Sequence, residues 1–242
     1  MRYLMTFSYD GSCFHGYERQ KNLDTVQGLI ETVLTSVNNG SSVTIHSSGR
    51  TDVLVHALNQ KAHFDLDVKV NLYSLKKHLN KKFEGKIYVK NIELVSEKFH
   101  ARYDVKSKKY VYYINTLEFN PFRRNYELQY CKKLDLDKMH SALNYFVGEH
   151  DFRSFCKGYR ENCVRTIYGA SIAEKDGIVS IEFNGNGFLR AMVRNIVTVL
   201  IDVGRGKIDD CFVKSILDAK DNKFYNIKTI SGCGLYLEDV VY

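Results

Sequence analysis

The chain has 242 residues, 44% apolar and 26% charged, a composition typical of folded proteins and a length that fits one large domain or two small ones. Lys and Arg outnumber Asp and Glu by 35 to 28, and 13% of residues are aromatic, which modestly favours a polyanionic partner whose bases stack on rings. No apolar run approaches the roughly 20 residues of a membrane span, the first residues do not resemble a signal peptide, and the six cysteines form no Cys-x-x-Cys pair. We therefore expect a cytoplasmic protein without a membrane anchor or a zinc site.

The first half of the chain alternates strand and helix patterns. Arg2 to Tyr9 is rich in residues typical of strands, and a helix follows Asp24, which is placed to cap it together with Gln27. Apolar residues recur at helical spacing from Val26 to Val37. Further patterns predict strands at 43–48, 59–66 and 87–95 and a helix at 72–82. The order is βαββαβ, which is typical of a ferredoxin-like unit.

The second half repeats this order with one helix added. Its patterns predict strands at 108–117, 166–174, 178–184 and 234–241 and helices at 136–147, 188–203 and 209–219. The sequence therefore predicts an α+β protein of two fused ferredoxin-like halves, residues 1–105 and 106–242. We expect their strands to share a mixed, mainly antiparallel sheet with a central cleft, because ligands tend to bind in such clefts.

A turn at Ser47 to Asp52 follows the apolar run Val43 to Ile45 and places Asp52 two residues after Arg50. A carboxylate held by an arginine stays ionised and is able to act as a nucleophile or a base. The same spacing occurs in ordinary turns, where an aspartate accepts hydrogen bonds from nearby backbone N–H groups. The spacing alone leaves both interpretations open.

Six short fragments, in order along the chain, resemble the TruA family of tRNA pseudouridine synthases. They are Tyr9-Asp10-Gly11-Ser12 with Gly16, Gly49-Arg50-Thr51-Asp52 followed by Val55-His56-Ala57, Phe99-His100-Ala101-Arg102, Lys109-Tyr110-Val111-Tyr112, Met192-Val193-Arg194-Asn195 and Gly234-Leu235-Tyr236-Leu237. The resemblance implies the same two-part fold, tRNA as the partner and a homodimer. It also implies an isomerase that converts uridines 38 to 40 of the anticodon stem-loop to pseudouridine without a cofactor or a metal.

The resemblance implies roles for individual residues as well. Asp52 matches the nucleophile, which attacks C6 of the base or assists at C1′ of the ribose, and Arg50 matches its charge partner. Tyr110 matches a tyrosine that stacks on the target base, and Arg194 and Leu235 match further substrate-binding positions. By position alone Tyr110 is a packing residue of a tyrosine-rich strand, and Tyr112 on the same face is the alternative packing residue.

A uridine inside folded RNA must be flipped out before it reacts, so cationic side chains that hold phosphates are expected near the site. Arg102, Lys108 and Lys109 are the candidates for this RNA contact. Arginines that follow strands are often only surface residues, and lysines also protect strand edges. Arg190 and Arg194 lie one turn apart on the predicted helix at 188–203 and therefore share a face.

The chain departs from the family pattern beside the nucleophile. Val53-Leu54 stands where Ala-Gly is usual, so a branched side chain occupies a position that is strained if its φ is positive. Tyr17-Glu18 stands where Trp-Gln is common. His56 and His63 are interpreted as hydrogen-bonded structural residues, because no third ligand at a sensible spacing completes a metal site.

Two other functions compete with the enzyme. One is an RNA-binding protein that kept the scaffold and lost or altered catalysis, and the other is a ferredoxin-like regulatory module for small ligands. The presence of Asp52, Arg50 and Tyr110 together favours the enzyme.

Overall fold

The structure is a computed structural model that describes residues 1–158 and 161–242. Its strands are β1 (Arg2–Tyr9), β2 (His46–Ser47), β3 (His56–Asp65), β4 (Ile87–Leu94), β5 (Ser107–Asn115), β6 (Leu128–Gln129), β7 (Gly148–Asp151), β8 (Val164–Lys175), β9 (Ile178–Gly185) and β10 (Leu235–Val241). Its helices are α1 (Val26–Val37), α2 (Leu72–Lys82), α3 (Leu136–Asn144), α4 (Met192–Gly204) and α5 (Phe212–Ala219). Contacts divide the chain into two compact units, Met1–Lys106 with Tyr236–Tyr242, and Ser107–Leu235.

The first unit follows the order β1-α1-β2-β3-α2-β4, as the sequence pattern predicts. Its strands are arranged β4-β1-β3-β10, with β2 paired to β3. All of these pairs are antiparallel except β3 with β10, which is parallel. The last seven residues belong to this unit because β10 pairs with the start of β3, at His56 and Ala57. Phe7, Ile30 and Leu79 are fully buried in its core.

The second unit arranges its strands β5-β9-β8-β7 in antiparallel pairs, with β6 parallel to β5. The sequence patterns did not predict β6 and β7, because these strands are only two and four residues long and have no apolar alternation. Helices and mixed, mainly antiparallel strands occur in both units, so the α+β class is confirmed. No helix within the described residues is long and apolar enough to cross a membrane.

The strand predicted at 43–48 shrinks to β2 because helix side chains take its backbone groups. Val43 donates its N–H to Thr35 Oγ1 at 3.1 Å, and Ile45 donates to Glu31 Oε1 at 3.1 Å. These donors are therefore unavailable to a strand ladder. The side chain of Glu31 is itself buried, so this bond between α1 and the segment before β2 is well shielded from water.

Two helix starts differ from the prediction. Thr25, rather than Asp24, caps α1, and its hydroxyl accepts the N–H of Gly28 at 3.2 Å. Helix α4 begins at Met192 rather than at 188, because Ala191 has a left-handed backbone with φ of 62°. The prediction that Arg190 and Arg194 share a helical face is therefore wrong, since Arg190 precedes the helix.

Candidate active site

Asp52 lies on a loop that joins β2 to β3, here called the Asp52 loop (residues 48–55). A buried glutamine on β3 fixes the start of this loop. Ser48 donates its hydroxyl to Gln60 Oε1 at 2.6 Å, and Gln60 Nε2 donates to the carbonyl of Gly49 at 2.9 Å. The N–H of Ser48 also reaches the carbonyl of Lys61 at 2.8 Å. Because Ser48 and Gln60 are fully buried, these bonds are made without competition from water.

The centre of the Asp52 loop is held by two tyrosines of the first unit. The hydroxyls of Tyr9 and Thr51 are 2.8 Å apart, and Tyr17 donates its N–H to the carbonyl of Thr51 at 3.2 Å. Burial raises the pKa of Tyr9 to about 12, so its phenol stays protonated at neutral pH. Val55 closes the turn by donating to the carbonyl of Asp52 at 3.2 Å. The Asp52 side chain is half-buried at the tip of this fixed loop.

A glycine brings the segment after β1 against the Asp52 loop. A Cβ on Gly11 would lie 2.2 Å from the carbonyl oxygen of Val55, which no side chain tolerates. The N–H of Gly11 donates to Nδ1 of His56 at 3.0 Å. The fragment Tyr9 to Ser12, which carries part of the resemblance, therefore packs directly on the loop that presents Asp52.

The two histidines that were interpreted as structural are buried and hydrogen-bonded. The His56 ring stacks on Tyr236 with centroids 4.6 Å apart. His63 accepts the N–H of Ala101 on Nδ1 at 3.1 Å, and burial lowers its pKa to about 4. Within the described ranges, no group of three or more His, Cys, Asp or Glu side chains is placed to hold a metal ion.

Arg50 is turned toward an acidic residue that the sequence analysis did not connect with it. Its guanidinium lies 2.9 Å from Glu18, and both side chains are more than half exposed. Glu18 occupies the position where the family commonly has glutamine. The ion pair with Glu18 therefore competes with the role of charge partner to Asp52 that the resemblance implies for Arg50.

Leu54 adopts the backbone conformation that made its identity notable in the sequence. Its φ is 65°, in the left-handed region that favours glycine. For a non-glycine residue this conformation costs about 1–2 kcal/mol. The chain therefore carries local strain two residues after Asp52.

In the second unit, β5 places its two candidate tyrosines in different contacts. Tyr112 is fully buried and donates its hydroxyl to the carbonyl of Ser231 at 2.8 Å, and burial raises its pKa. Tyr110 keeps 8% of its surface exposed, and its ring meets Phe188 edge to face at 5.1 Å. Both tyrosines are therefore buried, and they differ in their contacts, since Tyr112 is hydrogen-bonded through its hydroxyl whereas Tyr110 packs against Phe188.

Arg194 lies on the polar stripe of an otherwise buried helix. On α4 from Met192 to Gly204, every residue except Arg194 and Thr198 is buried. Arg194 Nε donates to the carbonyl of Ile230 at 2.7 Å, and Ile230 returns its N–H to Thr198 Oγ1 at 3.2 Å. These bonds fix the guanidinium stem and the segment that leads to β10.

That same segment also contacts β5. Tyr113 donates its N–H to the carbonyl of Gly234 at 2.8 Å, directly before Leu235, which is buried. Together with the bond from Tyr112 to Ser231, this places Leu235, β5 and the residues that hold Arg194 around one stretch of backbone. The second unit thus connects Leu235 and the segment that holds Arg194 to β5, the strand that carries Tyr110.

The predicted RNA-contact residues lie in different settings. Arg102, in the first unit, is exposed on a turn. Its backbone N–H donates to Nδ1 of His100. Lys108 and Lys109 are half-buried on β5 in the second unit. Lys109 pairs with Glu182 of the neighbouring strand at 3.0 Å. Both members of that pair are about 40% exposed, so it contributes only about 0–1 kcal/mol.

Sequence reasoning missed the residues that hold the Asp52 loop. Gln60 is a buried polar residue in the middle of a predicted strand, and a polar triplet, Asn59-Gln60-Lys61, was the one signal that marked it. No sequence pattern indicated that Ser48, Tyr9 and Tyr17 hold this loop, because that role depends on which segments meet in space.

Comparison with known proteins decides the family. The family model described as tRNA pseudouridine synthase matches residues 5–104 and 142–242. A protein of Bacillus cereus named tRNA pseudouridine synthase A 2 is 41% identical over 99% of both chains. One of Streptococcus thermophilus named tRNA pseudouridine synthase A is 40% identical over 100% of this chain and 99% of its own. The chain belongs to the tRNA pseudouridine synthase family.

This family is one of isomerases. Its family model covers the predicted site residues of the two units unequally. The Asp52 loop lies in the first matched stretch, and Arg194 and Leu235 lie in the second. Tyr110 with its two neighbouring lysines lies between the two stretches, although the alignments with the full-length relatives run through it. A solved structure titled "Crystal Structure of a Cbf5-Nop10-Gar1 Complex" is 10% identical with a TM-score of 0.36, covering 82% of this chain and 45% of the other, and adds no argument.

Proposed function

We propose that this protein converts uridine to pseudouridine in tRNA, at positions 38 to 40 of the anticodon stem-loop, with Asp52 as the nucleophile and no cofactor. The observation that carries the proposal is the fixed presentation of Asp52 in a chain that belongs to this family. Hydrogen bonds to Ser48, Thr51 and Asp52 hold the backbone on both sides of the carboxylate, while its side chain is half-buried. A preorganised nucleophile is what a reaction of this kind needs.

The reaction is an isomerisation, so its atoms balance within the uridine itself. The N1–C1′ bond breaks, the base rotates in place, C5 bonds to C1′, C5 loses a proton and N1 gains one. The Asp52 carboxylate forms a transient bond at C6 of the base or at C1′ and leaves unchanged. This chemistry requires an ionised carboxylate, a surface that retains the detached base, and cations that hold the phosphates.

The second unit supplies residues suited to the last two requirements. Tyr110, which is 8% exposed and packs edge to face on Phe188, is proposed to offer its ring to the base. Arg194, whose stem is held by the carbonyl of Ile230, is proposed to hold a phosphate or the base, and Leu235 to pack against the substrate. Arg50, Arg102, Lys108 and Lys109 are proposed to contact the RNA backbone.

The test compares Asp52→Asn with Asp176→Asn on purified tRNA. Asp176 is an exposed turn residue of the second unit, and its φ of 52° suits asparagine, so this variant controls for the loss of one carboxylate. We expect Asp52→Asn to form no pseudouridine, mapped by chemical modification, while its affinity for tRNA stays within about tenfold. Turnover by Asp52→Asn would remove the nucleophile role. A wild-type protein that binds tRNA and modifies none would instead support the RNA-binding alternative.

A second pair of variants separates stacking from packing on β5. Tyr110→Phe keeps the ring, so binding should survive, while any proton transfer through the hydroxyl is lost. Tyr112→Phe strands the carbonyl of Ser231 and should lower stability by about 1 kcal/mol with normal turnover per folded molecule. Melting temperature and single-turnover rate are measured on the same samples. A normal rate in Tyr110→Phe would end the proposal that its hydroxyl takes part.

We propose that the protein is a homodimer, as the resemblance implies. Supporting this, the loop before β6 exposes Leu117, Phe119 and Phe122, the last of them 87% exposed, which is unusual for a surface that meets only water. Light scattering should give a mass of twice the 28.0 kDa of one chain. Phe122→Ser should shift that mass toward the monomer. A wild-type mass equal to that of one chain would reject the dimer.

A further inference from the structure

The net charge of the chain is concentrated in one segment, residues 69–90. This segment contains seven lysines, one glutamate and no arginine or aspartate, a net charge of +6 against +7 for the whole chain. The lysines are Lys69, Lys76, Lys77, Lys81, Lys82, Lys86 and Lys90. The rest of the protein therefore has a net charge of only +1, and this segment holds nearly all of the excess positive charge that attracts a polyanion.

Helix α2 displays part of this charge as an ordered face. Leu75 and Leu79 are buried beneath the helix. The exposed residues, here called the lysine face, are Tyr73, Ser74, Lys77, His78, Lys81 and Lys82. They form two adjacent rows with a spacing of four residues, which corresponds to about 6 Å along the helix axis. The face thus repeats cations at regular intervals and contains no carboxylate.

The lysines of this segment have no acidic partners among the described residues, whereas Lys109 and Lys207 pair with Glu182 and Asp202. Lys76 Nζ donates to the carbonyl of Lys90 at 2.6 Å, and Lys90 Nζ donates to Asn59 Oδ1 at 3.0 Å, both neutral acceptors. Their charges are therefore not cancelled locally.

Structural roles account for only some of these lysines. Lys81 and Lys82 lie in the last turn of α2, where cations interact favourably with the helix dipole. Lys86 and Lys90 flank or belong to β4, and lysines on outer strands deter edge pairing. Neither reason applies to Lys77, and neither accounts for a segment in which seven lysines accompany a single acidic residue.

The turn that follows the lysine face lies at the end of the sheet that carries the Asp52 loop. The carbonyl of Lys86 accepts the N–H of Asp10 at 3.1 Å, and Tyr9 pairs with Ile87 on one side and Ala57 on the other. The turn after α2 therefore lies at the same end of the sheet as the Asp52 loop. A cavity of about 380 Å³ lined by Lys86, Arg19 and Phe14 occupies this region.

We propose that the lysine face of α2, continued by Lys86, binds the phosphate backbone of the RNA substrate outside the target nucleotide. This proposal rests on the proposed function, because that function makes RNA the partner. RNA is favoured over an anionic membrane because Leu75 and Leu79 of α2 are buried and Leu72 is half-buried, whereas a helix that lies on a bilayer inserts exposed apolar residues. The exposed ring of Tyr73 suits a base or ribose instead.

The test substitutes Lys77→Gln, Lys81→Gln and Lys82→Gln together. Its matched control is the triple variant Lys132→Gln, Lys133→Gln and Lys138→Gln, which removes three exposed lysines from the second unit. Equilibrium binding of unmodified tRNA is measured from low to high salt, and single-turnover pseudouridine formation is measured at saturating protein. Melting temperatures confirm that both variants are folded.

We expect the α2 variant to lower the slope of log affinity against log salt by about two to three units and the control to leave it unchanged. Its affinity should fall by about 10- to 100-fold near 0.1 M salt, with an unchanged rate at saturation. Wild-type slope and affinity in the α2 variant would overturn the proposal. So would lysine-dependent binding to phosphatidylserine vesicles with tRNA binding intact. If the wild type binds tRNA through the lysine face and forms no pseudouridine, the proposed enzymatic function is wrong and the proposed RNA contact of the lysine face is retained.

Discussion

Replacing Gly11 by alanine tests whether the contact with the Asp52 loop sets the position of the nucleophile. The added Cβ would lie 2.2 Å from the oxygen and 2.5 Å from the carbon of the Val55 carbonyl, both of them backbone atoms. Ordinary van der Waals contact begins near 3.4 Å, so one of the two segments must move by about 1 Å. Overpacking of this kind costs about 1–3 kcal/mol of stability. A misplacement of about 1 Å at a catalytic group costs about 100-fold in rate.

Gly16→Ala is the matched control, because it contacts the same loop with a different penalty. Gly16 has φ of +93°, but its added Cβ would lie 3.5 Å from the nearest atom, the carbonyl oxygen of Thr51. Backbone strain should lower its stability by about 1–2 kcal/mol without displacing the loop. Single-turnover rates per folded molecule should therefore fall about 100-fold in Gly11→Ala and less than tenfold in Gly16→Ala. Equal rates in the two variants would refute the idea that this contact positions Asp52.

Three further changes test local features of the first unit. Leu54→Gly relieves about 1–2 kcal/mol of left-handed backbone strain. It also removes side-chain contacts and adds about 0.5–1 kcal/mol to the entropic cost of folding. The free energy of unfolding should therefore stay within about 1 kcal/mol of wild type. Leu58→Gly on β3 has no such strain to relieve and should be clearly less stable in the same denaturant titration. Glu18→Gln releases Arg50 from an exposed ion pair and should tighten tRNA binding by about fivefold or less, whereas weaker binding would assign the pair a positioning role. The pKa of His63 is about 4 in the fold against 6.5 ordinarily, so the unfolded chain binds its proton first and stability should fall as pH drops from 6.5 to 4. His63→Gln should lose that part of the pH dependence of melting, on the order of 1–2 kcal/mol once screening by water is allowed for.

Periodicity predicted most of the helices and long strands because each buries one regular face. Helix α4 illustrates this, since the apolar residues from Met192 to Leu200 are buried as expected. Its start was misplaced because the left-handed backbone of Ala191 leaves no trace in a hydrophobic pattern. The short β2 was overestimated for a related reason, since side chains of α1 compete for the backbone of Val43 and Ile45.

The site was predicted through fragments, and the sequence does not contain the distances between them. Asp52 was identified from its turn, yet the partner of Arg50 is Glu18, which lies on a different segment. Leu54 was recognised as unusual because it stands where the family usually has glycine, and a branched side chain is strained wherever φ is positive. Gln60 was missed because a buried glutamine is recognised only when the loop it holds is known.

The structure also separates the forces that attract RNA from those that position the nucleophile. The Asp52 loop is held by hydrogen bonds between neutral groups, those of Tyr9, Ser48 and Gln60, which salt does not screen. The lysine face consists of exposed charges, whose attraction falls off over about 8 Å at physiological ionic strength. Raising the salt should therefore reduce kcat/KM on tRNA steeply while leaving the single-turnover rate at saturating protein nearly constant. A rate at saturation that falls in parallel with the affinity would mean that charges also hold the reacting geometry. Arg50 and Arg194 would then be the first residues to substitute, since each is a cation placed beside a part of the candidate site.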